Sequence, residues 1–168
     1  MQEFERVYMR TLRHIYDTEK QLVSSMAALT NSIGDLRLRN ALREIETQSR
    51  VQAQRIEAIF RELYLEPRGE ASWAATALLR DAWEACTANR KDGTRGCAAA
   101  LLAIKRYEIT LYEALLRWSE DYAFEEVIPD LRRSISEELV QASILSELAF
   151  ETGPDRAALA QGSPGVLH

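Results

Sequence analysis

The sequence predicts an all-α fold, an antiparallel bundle of four long helices with a short extra helix in the crossover. Two observations carry that prediction. Long stretches place apolar residues at alternating three- and four-residue steps, the spacing that gives a helix one buried face. Only four prolines and seven glycines interrupt a chain of 168 residues, a length at which one core is the expected solution and buries roughly two-thirds of the unfolded surface.

The first helix runs from Phe4 to Ile33, with a seam of Leu12, Ile15, Glu19, Leu22, Met26, Leu29 and Ile33. Gly34 suits the residue just past a helix end and Asp35 suits an N-cap, so the chain should reverse there into an antiparallel neighbour. That second helix extends to about Tyr64 along Leu38, Leu42, Ile45, Ser49, Gln52, Ile56, Ile59 and Leu63. The segment Leu65-Glu66-Pro67-Arg68-Gly69 breaks the pattern. Ser72 then caps a shorter crossover helix holding Trp73, Leu78, Leu79 and Trp83, which stops before the polar loop of Asn89 to Gly93. A third long helix spans Cys97 to Asp121 with Leu101, Ile104, Glu108, Leu111, Leu115 and Trp118 on its seam. The fourth starts between Phe124 and Pro129 and reads Ile128, Leu131, Ile135, Glu138, Ala142, Leu145, Ala149. Residues 1–152 therefore form the bundle. Residues 153–168, rich in Gly, Pro, Ala and Ser, form a loosely ordered tail.

The composition excludes several function classes. A net charge of −5 and a pI near 5.2 give no concentrated basic surface for nucleic acid, and the arginines alternate with acids at spacings that make solvated ion pairs. No run approaches the ~18 apolar residues of a membrane span, and the N-terminus has no apolar signal region, which points to the cytoplasm. Cys86 and Cys97 lack any metal-binding spacing and are expected as free thiols. Nothing resembles a nucleophile elbow, a phosphate loop or a nucleotide fingerprint.

The informative feature is a set of interruptions. Glu19, Glu108 and Glu138 each break an otherwise apolar seam near the midpoint of a helix, and Ser49 and Gln52 do the same on the second helix. Together they form one polar layer across the bundle. An unpaired buried carboxylate costs several kcal/mol, against a total stability of about 5–15 kcal/mol, so the layer must contain compensating charge, protons or donors. One solution is iron or manganese held by Glu19, Glu108 and Glu138, since bundle cores build such sites from Glu and Glu-x-x-His units. Histidine is the missing part: His14 lies off the seam and His168 is in the tail. The other solution is internal. Lys105 stands three residues before Glu108, and Tyr16, Gln48, Tyr107 and Tyr112 flank the same level as hydrogen-bond donors. The internal solution predicts no metal and no catalytic residue.

At these residues the chain resembles the YciE/YciF family of ferritin-like bacterial proteins, which is associated with stress-induced operons. The resemblance covers Phe4 to Ala149. Tyr16-Asp17-Thr18-Glu19-Lys20-Gln21-Leu22 is similar to the family's first-helix Tyr-x-Ala-Glu-Lys-Gln-Leu, which implies that Glu19 is the first-helix carboxylate of a ferritin-like site. Tyr107-Glu108-Ile109-Thr110-Leu111-Tyr112 is similar to the third-helix Tyr-Glu-Ile-x-x-Tyr, and Ile135-Ser136-Glu137-Glu138 to the acidic run of the fourth. Where the family has Glu-His before that tyrosine, this chain has Lys105-Arg106. Where it has His-Leu-Glu-Glu-Thr, this chain has Ile45-Glu46-Thr47-Gln48-Ser49. The resemblance thus implies the fold, and the departures imply a metal site exchanged for a Glu/Lys/Tyr layer.

Two functions are expected in turn. The first is a non-catalytic, stress-associated structural or interaction protein without cofactor, a homodimer with room for a further protein partner through Trp73, Trp83 or Trp118. The alternative is an iron- or manganese-binding protein with ferroxidase-like activity.

Overall fold

The computed structural model describes residues 2–88 and 93–150. Its helices are α1 (Gln2–Thr30), α2 (Leu36–Glu62), α3 (Trp73–Thr87), α4 (Gly93–Asp121) and α5 (Ile128–Phe150), with a 3-10 turn at Glu125–Val127 ahead of α5. The described residues contain no strand, as the seams predict. The chain forms two antiparallel hairpins, α1 with α2 and α4 with α5, packed on each other through α1·α4 and α2·α5, while α3 lies on α4 and α1. The predicted tail from Gly153 lies outside the described residues.

Helix ends follow local chemistry. The Asp35 carboxylate accepts from the Leu38 N–H at 2.9 Å, capping α2 as expected, and Ser72 Oγ accepts from the Ala75 N–H to start α3. The first helix ends three residues before the predicted Ile33. Thr30 turns its hydroxyl back onto the Met26 carbonyl, and the Ile33 carbonyl is taken by the Arg39 guanidinium at 2.6 and 2.9 Å. Gly34 is therefore a link residue and not the helix cap. α4 starts four residues earlier than predicted, because the glycine-bearing segment that reads as loop winds into its first turn, where a poor helix former is tolerated.

Tyr64 and Ala123 both sit at φ 56°, the left-handed conformation that ends a helix and that glycine adopts most cheaply. The Leu65 N–H reaches the Phe60 carbonyl at 2.8 Å and the Phe124 N–H reaches that of Ser119 at 2.9 Å, each closing the last turn.

One expectation is overturned. Cys86 and Cys97 are joined in a disulfide. The spacing argument considered motifs and the needs of the core. It did not see that the last turn of α3 and the opening turns of α4 run side by side, which brings the two sulfurs together.

The apolar interior falls into two clusters. One holds Leu22, Met26, Leu42, Ile45, Leu101 and Leu145 with their neighbours. The other holds Leu12, Ile15, Ile56, Phe60, Tyr112 and Leu131, and its end is closed by Phe4, Tyr8, Trp118 and Phe124. The polar layer lies between them.

Candidate functional site

Each helix of the bundle delivers polar side chains to the plane that divides the core. Glu19 comes from α1, Ser49 and Gln52 from α2, Lys105, Glu108 and Tyr112 from α4, and Glu138 and Gln141 from α5. All are at most 1% exposed, so neither bulk water nor counter-ions screen them.

Lys105 is the hub. Its Nζ lies 2.8 Å from Glu108 Oε2, one helical turn away on the same face, and donates to Glu138 Oε1 at 3.1 Å across the α4–α5 hairpin. Burial alone would depress the lysine's pKa, but Glu108, Glu138 and Glu19 outweigh it and hold the group well above its ordinary value, as an ammonium. Tyr112 donates to Glu19 Oε1 at 2.7 Å, bridging α4 to α1. Burial, and then the carboxylates led by Glu19, push this phenol well above its usual range, so it remains a donor.

One ammonium does not balance three carboxylates, and burial shifts two of them toward holding a proton. Burial drives Glu19 up to about 7 against the opposing pull of Lys105, with Glu138 adding to the rise. Burial likewise raises Glu108 well above the carboxylate range despite the adjacent ammonium. Glu19 Oε2, Glu108 Oε1, Glu138 Oε2 and the side-chain oxygens of Gln52 and Gln141 accept no hydrogen bond among the described residues. Each bound proton turns one such acceptor into a donor, which suits a layer rich in lone pairs.

Three residues assigned to the layer face elsewhere. Tyr16 donates to Glu57 at 2.6 Å, and burial with that carboxylate pushes its phenol up to about 12. Tyr107 pairs with Ser72 at 2.7 Å and anchors the start of α3. Gln48 donates to Glu44 one turn back on its own helix. All three stand on the flanks of their seams, and a step of one residue turns a side chain about 100° around a helix. His14 lies 3.9 Å from Glu70 beside the crossover and outside the layer. Trp118 packs edge-on against Phe4, whereas Trp73 and Trp83 are 92% and 44% exposed.

Sequence reasoning missed a second, part-buried ion pair. Arg55, 8% exposed, reaches from α2 to α5, donating to Glu137 at 2.9 and 3.1 Å and to Ser134 at 2.7 Å, while Gln52 donates to Glu137 at 3.2 Å. Burial disfavours the Glu137 charge, yet these donors hold its pKa below the ordinary value. Gln141 was missed as well. Arg55 and Gln141 each lie three residues beyond a recognised seam interruption, Gln52 and Glu138, so following the i,i+3 face would have found both.

The donor set does not fit a dinuclear metal centre. Among the described residues no imidazole approaches the layer, an ammonium lies against two of the three carboxylates, and no group of three or more His, Cys, Asp or Glu is arranged to hold an ion.

Comparison with known proteins identifies the family of the chain. A family model described as a domain of unknown function, DUF892, matches residues 3–158. Protein YciF of Escherichia coli strain K12 is 26% identical over 153 residues, covering 89% of this chain and 92% of that protein. The crystal structure of the E. coli stress protein YciF superposes with a TM-score of 0.82 at 24% identity, covering 89% of this chain and 96% of that one. The structure of YcfI from Rhodopseudomonas palustris, described as a proposed structural protein, gives 0.81 at 23% identity over 88% and 95% of the two chains. No helix among the described residues is long and apolar enough to cross a membrane. The chain belongs to the DUF892 family, that of the YciE and YciF proteins.

Proposed function

We infer that this protein is a non-catalytic ferritin-like bundle, a stress-associated structural or interaction protein whose ancestral metal position has become a self-neutralised Glu/Lys/Tyr layer. The observation that carries the reading is Lys105 Nζ at 2.8 and 3.1 Å from Glu108 and Glu138. A cation covalently supplied by the chain stands where a metal would need those carboxylates. The names of the relatives, a stress protein and a proposed structural protein, agree in direction. Exposed Leu139, Val140 and Ile144 on α5 and the two open tryptophans of α3 support an interaction role, with self-association as a homodimer.

Elemental analysis tests the central claim. After aerobic expression with added iron and manganese followed by dialysis, the protein should retain no stoichiometric metal. Metal that survives dialysis, and is lost in Glu19→Ala, would establish the ferroxidase-like alternative. Light scattering coupled to size exclusion should give the mass of two chains, and a single-chain mass would remove the homodimer from the proposal.

A further inference from the structure

The disulfide lies in a setting the bundle does not require. α3 presents small residues, Ala75 and Ala82, with Leu79 to its neighbours. Beyond these contacts it is tied at its start by the Ser72–Tyr107 hydrogen bond and at its end by the bond from Cys86 to Cys97. Cys97 is fully buried, but Cys86 is 9% exposed and, with Thr87, Ala88 and Gly93, lines a cleft of about 320 Å³ that faces the α1–α2 link. Ile33, Gly34 and Asp35 form the opposite wall, and a Cβ added at Gly34 would meet nothing within 4 Å. A side chain added at Gly34 therefore has room to occupy the cleft that Cys86 lines.

We propose that Cys86–Cys97 is a redox-exchange site for low-molecular-weight thiols and disulfides, in which Cys86 is the sulfur attacked through this cleft and the closed bond pins the end of α3. An incoming thiolate attacks Cys86 Sγ, forming a mixed disulfide there, while the Cys86–Cys97 bond breaks and Cys97 leaves as a thiolate that takes a proton. A second thiolate attacks the sulfur of the bound thiol, giving the small disulfide and a Cys86 thiolate, so two thiols are oxidised as one protein disulfide is reduced. The reverse sequence, driven by a small disulfide, closes the bond again. Access is one-sided, so exchange should be asymmetric between the two cysteines. Asp35 on the rim favours neutral or cationic reagents over anionic ones.

The test uses the full chain under native conditions with cystamine, a small cationic disulfide, and 2-mercaptoethanol. Intact mass and peptide mapping should show cystamine adding to Cys86 in Cys97→Ala. Cys97 in Cys86→Ala should remain unmodified until denaturant is added. The wild-type disulfide, measured without any substitution, should open in 2-mercaptoethanol without denaturant and faster than the chain unfolds globally, and Gly34→Leu should slow opening several-fold at unchanged melting temperature. Reduction should speed amide exchange at the end of α3 and leave the middle of α4 protected. Equal labelling of both cysteines, labelling only on unfolding, or two free thiols in aerobically purified wild-type protein would overturn the proposal.

Discussion

Replacing Lys105 with methionine preserves side-chain length and removes the one positive charge that the described residues place within the layer. Its Nζ contacts Glu108 at 2.8 Å and Glu138 at 3.1 Å at 1% exposure, so no water can take over. Breaking a buried pair costs about 3–5 kcal/mol. A second route gives a similar figure: the freed carboxylate escapes by protonation, and taking a proton near pH 7 on a group with a solution pKa near 4.3 costs about 4 kcal/mol. For a domain of this size that lowers the melting temperature by roughly 10 °C. The two routes agree because protonation sets the ceiling on the penalty, and the ceiling must fall with pH. Near pH 5 the same escape costs only about 1 kcal/mol. Thermal unfolding followed by circular dichroism should therefore show a large deficit at about pH 8 that mostly closes by about pH 5. A Lys105→Met protein that melts with the wild type at neutral pH, or a deficit that does not change with pH, would refute the claim that this lysine neutralises the carboxylates.

Glu19, raised by burial from 4.5 to about 7, binds its proton more tightly folded than unfolded, so its contribution is complete below the unfolded value and lost as pH rises through the folded one; wild-type melting temperature should fall from about pH 5 to about pH 8. The effect is at most about 3 kcal/mol, and Glu19→Gln should flatten the slope, an outcome that melting curves at several pH values would check. Glu137 acts in the opposite sense, since its depressed pKa contributes stability that is lost on acidification below about pH 4.5. Arg55→Met should destabilise by about 3 kcal/mol, the low end for a buried pair because Glu137 still reaches water, and Arg55→Lys should recover only part of that in urea unfolding. Ala123→Gly, at a left-handed position with φ 56°, should stabilise by about 1 kcal/mol, seen as a rise of about 2–4 °C in melting temperature.

The fold was legible because its seams are nearly uninterrupted: Leu12, Ile15, Leu22, Met26 and Leu29 define one buried face, and all five are at most 1% exposed. The layer was legible for the converse reason, since a glutamate on such a face has nowhere to go but inward. What periodicity cannot supply is the direction of a flanking side chain. Tyr16 and Tyr112 looked equivalent beside their seams, yet Tyr112 turns to Glu19 and Tyr16 to Glu57. The i,i+3 face from Gln52 points to Arg55, but its partner Glu137 lies 82 residues away, a separation no local pattern reports. The disulfide was hidden for a related reason, because it depends on how two helices meet at a turn.

On the proposed function a lysine and a metal compete for this space, and magnitudes favour the lysine. A divalent ion shared by Glu108 and Glu138 would lie within about 4 Å of the Lys105 ammonium, and at an effective dielectric of 20 that repulsion is about 8 kcal/mol. The ion could avoid it only by expelling the lysine's proton, and the surrounding carboxylates hold that proton well above the ordinary lysine value. The ion would also find no imidazole among the described residues to complete its coordination, leaving carboxylates whose affinity for protons burial has raised, as in Glu19 and Glu108. Each of these preferences raises the others. Because the lysine is charged, a metal is repelled; without a metal, the acids protonate; and protonated acids bind a metal less well. On the function proposed above, one basic side chain on α4 is what closes the site to a metal, and the polar plane through the core is what remains of it.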